Sequence, residues 1–117
     1  MNRNTFVSTI GLLLLAGAIL GVVVPRATAE GEKPAVAEIK IDNFSFTPQT
    51  VTVPVGTQVT WTNQDDIPHT VVSDDKTTFK SKALDTDDQF TYTFTKSGTY
   101  SYFCSIHPKM TGKVVVQ

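Results

Sequence analysis

The chain has 117 residues, a formal net charge of −1 and 18% charged residues, with one Cys, two His and two Met. This length holds one small domain. The weak, mixed charge, with no basic patch interleaved with aromatics, excludes a typical nucleic-acid binder.

Met1-Asn2-Arg3-Asn4 carries one positive charge and precedes an apolar run from Phe6 to Val24, followed by Pro25-Arg26-Ala27-Thr28-Ala29. Ala27-Thr28-Ala29 is an A-x-A cleavage signature, so residues 1–29 read as a secretory signal peptide. The run of about 19 residues also approaches the roughly 20 that span a bilayer, which keeps an uncleaved membrane anchor as the alternative. Either reading puts the remainder in the periplasm or otherwise outside the cytoplasm, in contact with a membrane only if the leader stays. After residue 29 the chain keeps eight Lys or Arg against eleven Asp or Glu. Glu30–Pro34 is a polar linker, and residues 35–117 form the domain.

Short β-prone runs then recur between turn signals: Ala35–Ile41, Thr50–Val53, Gln58–Thr62, Thr70–Ser73, Gln89–Phe94, Thr99–Cys104 and Lys113–Gln117. Gln89-Phe90-Thr91-Tyr92-Thr93-Phe94 alternates cleanly, which puts its aromatics on one face. Pro48, Pro54 with Gly56, Lys96-Ser97-Gly98 and Thr111-Gly112 mark turns. No helix or repeat is predicted in this part. The spacing argues for an all-β protein, an antiparallel β-sandwich.

The C-terminal part concentrates the chemistry. Cys104-Ser105-Ile106-His107-Pro108-Lys109-Met110 spaces Cys, His and Met by three, and His69 arrives from earlier in the chain. Alone, each residue has an ordinary reading: a small buried Cys, a gap-filling Met, a surface His. Together they can curl round one point if the segment is a tight loop leaving a strand, with Pro108 fixing one φ. Two His, one thiolate and a thioether match a blue copper electron-transfer site. Two His and a Cys also make a catalytic zinc site with an open fourth position, but a thioether there favours copper. Outside the cytoplasm a lone Cys is either an odd free thiol or a ligand. Asn63 and Thr70 are candidates to bond neighbouring backbone and fix the His69 segment to the Cys104 loop, or to make ordinary turn contacts.

Val59-Thr60-Trp61-Thr62-Asn63, Pro68-His69-Thr70-Val71 and the run from Gly98 through Cys104, His107 and Met110 to Val116 resemble a cupredoxin of the plastocyanin and amicyanin group. The short Cys-x-x-His-x-x-Met loop is most similar to amicyanin. It departs from that pattern in having Ile106 before the second His, Lys109 before Met, and Thr70 after the first His. The resemblance implies a Greek-key β-sandwich after the N-terminal segment. It implies one type 1 copper ion held by His69, Cys104, His107 and Met110. The implied function is shuttling one electron between redox proteins such as a c-type cytochrome or a dehydrogenase. The same resemblance makes His107 the electron port, emerging through an apolar patch; Ile106, Pro108 and Pro68 are candidates to furnish that patch, or else they pack the loop. With all four positions taken no substrate site remains, so an electron carrier is expected and not an enzyme. A monomer is the simplest shuttle.

An extracytoplasmic copper carrier or copper-resistance protein is the alternative, using the same ligands to hand on the metal. Two His residues cannot supply the further centres of a multicopper enzyme. The acidic groups Asp65-Asp66, Asp74-Asp75 and Asp85-Asp87-Asp88 can steer a basic partner, or simply form a solvated surface.

Overall fold

The computed structural model describes residues 35–117, so the expected leader and the whole linker lie outside the described residues. Eight strands follow in chain order: β1 Val36–Asp42, β2 Ser45–Thr47, β3 Thr50–Val53, β4 Thr57–Asn63, β5 Val72–Ser73, β6 Gln89–Phe94, β7 Gly98–Phe103 and β8 Thr111–Val116. They form two four-stranded sheets, β2-β1-β4-β6 and β3-β8-β7-β5. Among the described residues there is no helix, and hence none long and apolar enough to cross a membrane.

The all-β sandwich is as expected, but it is not wholly antiparallel. β1 pairs β4 in parallel, with Ile39 opposite Trp61, and β3 pairs β8 in parallel, with Val53 opposite Val116. The reason lies at Pro48-Gln49, where the chain leaves the first sheet to form β3 in the second. At Pro54–Gly56 it turns back, so that β4 enters on the free side of β1 and runs the same way. Gly56 supports this turn with a φ of 94°, which a side chain would strain, and its N–H donates to the Phe94 carbonyl. β2, missed in the sequence, is three residues cut short by Pro48. The expected Thr70–Ser73 strand shrinks to Val72–Ser73, because Thr70 serves the site.

β4 shows why one face is apolar: Val59 and Trp61 point inward and are fully buried, while Thr60 and Thr62, which alternate with them, are partly exposed. Trp61 packs against Phe79, Phe90 and Tyr102 with ring centroids 5.7, 5.6 and 5.4 Å away. Phe90, Tyr92 and Phe94 join this cluster from β6, on one face as the alternation predicts. Burying each such ring stabilises the fold by about 1.5–3 kcal/mol. β7 runs beside β8, with Tyr102 opposite Gly112. The fully buried Tyr102 ring lies where a Cβ on residue 112 would be, at 2.3 Å from its hydroxyl. A glycine is required there, and this close packing sets the direction in which β7 delivers Cys104.

Candidate metal centre

β7 ends at Phe103 and β8 begins at Thr111, so the seven-residue segment between them is a loop at one end of the sandwich. It closes on itself: the Cys104 N–H donates to the Met110 carbonyl at 3.1 Å and the Met110 N–H to the His107 carbonyl at 2.8 Å. These bonds curl the loop, and Cys104 and Met110 become buried while His107 stays partly exposed. His69 comes from the β4–β5 connection, where it bridges Leu84: its N–H donates to the Leu84 carbonyl and its carbonyl accepts from the Leu84 N–H.

The result is a compact donor set. One donor atom each from His69, Cys104 and His107 lie within 4.8 Å of one another. Cys104 Sγ is 3.7 Å from His69 Nδ1 and 3.8 Å from His107 Nδ1. Both imidazoles thus turn the same nitrogen to the sulfur. Met110 is 7% exposed and belongs to the same buried cluster as Cys104.

Burial pushes the Cys104 thiol pKa up. The Thr70 N–H, 3.3 Å from Sγ, the His69 ring, and the N–H and ring of His107 outweigh it and lower the thiol from 9.0 to about 6. A buried sulfur ready to be an anion fits a metal that needs thiolate. Thiolate and thioether are soft donors and imidazole also suits copper, so Cys104, Met110 and the two His residues together fit copper. A catalytic zinc site needs a free position and a nearby base. Among the described residues the sole carboxylate bonded to a member of this set is already occupied: Asp65 Oδ2 accepts from His69 Nε2 at 2.7 Å.

Thr70 joins the two segments, the first of the two roles the sequence left open for it. Its hydroxyl accepts from the Ser105 N–H at 2.7 Å, meets Ser105 Oγ at 2.8 Å and lies 3.7 Å from Cys104 Sγ. Asn63 acts elsewhere. Its side-chain N–H groups donate to the Ile67 and Leu84 carbonyls, and its Oδ1 accepts from the Asp65 N–H, fixing the His69 loop to the Leu84 segment and not to the Cys104 loop.

Two residues were not singled out as part of the site in the sequence. Asp65, read as a steering charge, is not simply solvated: it accepts from the N–H groups of Asn43 and Phe44 as well as from His69. Phe44 stands edge-on to both imidazoles, with centroids 5.5 Å from His69 and 5.1 Å from His107. No periodicity marks either residue, since both lie in turns. An exposed surface lined by Phe44, Ile106, His107, Pro108, Lys109 and Met110 covers the loop. Phe44 joins the expected Ile106 and Pro108 there.

Comparison with known proteins agrees with this geometry. A family model for the cupredoxin-like domain matches residues 12–116. The chain belongs to the cupredoxin-like family. It is similar to amicyanin from Paracoccus denitrificans, 33% identical over 117 residues covering 90% of this chain and 89% of that one. It is also similar to chloroplastic plastocyanin from Tetradesmus obliquus, 39% identical over 84 residues covering 62% of this chain and 58% of that one. Among solved structures, a purple cupredoxin from Nitrosopumilus maritimus superposes with a TM-score of 0.65 at 37% identity, covering 69% of this chain and 99% of its own. The Cu(I) form of an amicyanin mutant does so with a TM-score of 0.65 at 35% identity, covering 80% and 91%. This cupredoxin is therefore a type 1 copper electron carrier with one copper ion as cofactor, acting between redox partners.

Proposed function

We propose that His69 Nδ1, Cys104 Sγ and His107 Nδ1 would hold the copper as its three strong ligands, with the Met110 thioether as a weaker fourth. The observation that carries this is the convergence of the three donor atoms within 4.8 Å around a thiol lowered to about 6. Copper, when bound there, supplies a one-electron Cu(I)/Cu(II) couple. The chain's own part is to keep the donors fixed while the charge changes. The Cys104 and Met110 backbone bonds close the loop, Thr70 clips it to the His69 segment, and the Leu84 bridge holds His69. Hydrogen bonds to Sγ and the apolar walls around it tune the couple.

His107 is the electron port, because it is the partly exposed member of the set and lies within the apolar surface of Phe44, Ile106 and Pro108. The partners fitting this arrangement are a c-type cytochrome and a dehydrogenase, met outside the cytoplasm once residues 1–29 have served as a signal peptide. Linker 30–34 and domain 35–117 complete the organisation. Stopped-flow mixing of the reduced protein with an oxidised c-type cytochrome tests the reading. It predicts stoichiometric one-electron transfer with the copper retained, slowed when Ile106→Lys places a charge beside the port. Loss of copper to a chelator on the timescale of transfer would refute the shuttle and support a copper carrier.

A further inference from the structure

The turn between β1 and β2 consists of Asn43 and Phe44, with φ of 54° and 57°. Two left-handed residues make the tight hairpin turn, for which Asn followed by Gly is the preferred pair. A phenylalanine at the second position strains the backbone, and something must hold it. Its N–H donates to Asp65 Oδ2 at 2.9 Å, and the Asn43 N–H to Asp65 Oδ1 at 2.6 Å. The oxygen that accepts from Phe44 also accepts from His69 Nε2. The strained turn thus presents a half-exposed ring to the imidazoles of His69 and His107 at near-perpendicular interplanar angles of 89° and 87°.

We propose that Asp65 is a positioning residue that clamps the copper site from two sides at once. Its one carboxylate fixes His69 with the ring proton on Nε2 and Nδ1 free for the metal. The same carboxylate closes the Asn43-Phe44 turn and so holds the Phe44 ring against both imidazoles. The inference rests on the ligand set proposed above, because it needs Nδ1 of His69 to face copper. Three N–H donors converge on two carboxylate oxygens, a demand that an amide cannot meet. Asparagine would turn its NH2 either towards the Asn43 N–H or towards the Phe44 and His69 N–H groups. Asp65→Asn therefore releases at least one arm of the clamp in an almost unchanged volume.

The experiment compares the whole protein with Asp65→Asn, Phe44→Asn and the double variant. Asn accepts left-handed φ readily, so Phe44→Asn removes the ring without adding backbone strain. Nitrogen NMR of the copper-free protein is expected to find the His69 ring proton on Nε2 and slow to exchange, with the Asn43 and Phe44 amides protected. Asp65→Asn is expected to speed exchange of the ring proton or of the turn amides. In the loaded protein Asp65→Asn is expected to weaken Cu(II) binding about ten- to hundredfold. Each tenfold loss of Cu(II) relative to Cu(I) raises the potential by about 59 mV. The effect of Phe44→Asn on the potential should shrink in the Asp65→Asn background, because the two act as one unit.

A His69 proton found on Nδ1, an unchanged Cu(II) affinity in Asp65→Asn, or strictly additive shifts in the double variant would overturn the clamp. Failure of the ligand set is a separate result. It would appear as a wild-type protein without a type 1 copper spectrum, whereas a failed clamp leaves that spectrum intact.

Discussion

Replacing Thr70 by valine removes one hydroxyl and leaves the shape of the side chain. The hydroxyl accepts from the Ser105 N–H at 2.7 Å, so Thr70→Val leaves that donor facing a methyl group. Its bond to Ser105 Oγ is cheaper to lose, since Ser105 is exposed and water can replace the partner. An unsatisfied, partly buried donor costs about 1–3 kcal/mol. For a domain of this size each kcal/mol shifts Tm by about 4–8 °C. The copper-free Thr70→Val protein is therefore expected to melt roughly 4–24 °C below wild type, with most of the loss restored in Thr70→Ser, which keeps the hydroxyl. Thermal unfolding followed by Trp61 fluorescence reads this directly. The loaded variant should also have a lower potential, because the sulfur loses a neighbouring donor, 3.7 Å away, that favours the more electron-rich reduced site. A Thr70→Val protein as stable as Thr70→Ser would refute the idea that this hydroxyl clips the two ligand segments together.

Three further outcomes follow from the same geometry. The Cys104 thiol is lowered to about 6 on folding, and a group whose pKa falls on folding adds stability above its unfolded pKa and loses it as pH drops through the folded value. The copper-free protein should thus gain stability between about pH 6 and 9, a slope that Cys104→Ser abolishes, with thiolate absorbance rising through the lower end of that range. Gly112→Ala should destabilise by about 1–3 kcal/mol or more in urea unfolding, because its Cβ would lie 2.3 Å from the Tyr102 hydroxyl and 2.4 Å from the adjoining ring carbon. Wild-type stability in that variant would show that the Tyr102 ring is free to move. Met110→Ala should keep the visible charge-transfer band, since the three strong ligands remain, yet change the potential; loss of the band would make Met110 more than a weak axial ligand.

Much of this was legible in the sequence, for physical reasons. Strict alternation in Gln89–Phe94 and β-branched residues in Thr50–Val53 located two strands to the residue. The donors sit at intervals that a tight loop brings together, and they are the chain's only Cys, both its His and one of its two Met. Strand direction was not legible. It depends on the chain switching sheets at Pro48-Gln49, and a turn signal does not say which sheet the next strand joins. Asp65 and Phe44 were also hidden. A carboxylate 21 and 22 residues from its backbone donors leaves no local pattern, and in Asp65-Asp66 nothing tells the bonded acid from the exposed one. Thr70 could be singled out as a candidate because it adjoins His69, but the sequence left an ordinary turn contact open as well.

The central claim is that His69, Cys104 and His107 form one type 1 copper site. Adding one equivalent of Cu(II) to the protein and recording visible and electron paramagnetic resonance spectra before and after ascorbate tests it most directly. The account predicts an intense thiolate-to-copper charge-transfer band with narrow copper hyperfine splitting, bleached by ascorbate, restored by oxidant and absent in Cys104→Ser. A weak band with the wide splitting of ordinary tetragonal Cu(II), or the same spectrum in Cys104→Ser, would contradict it.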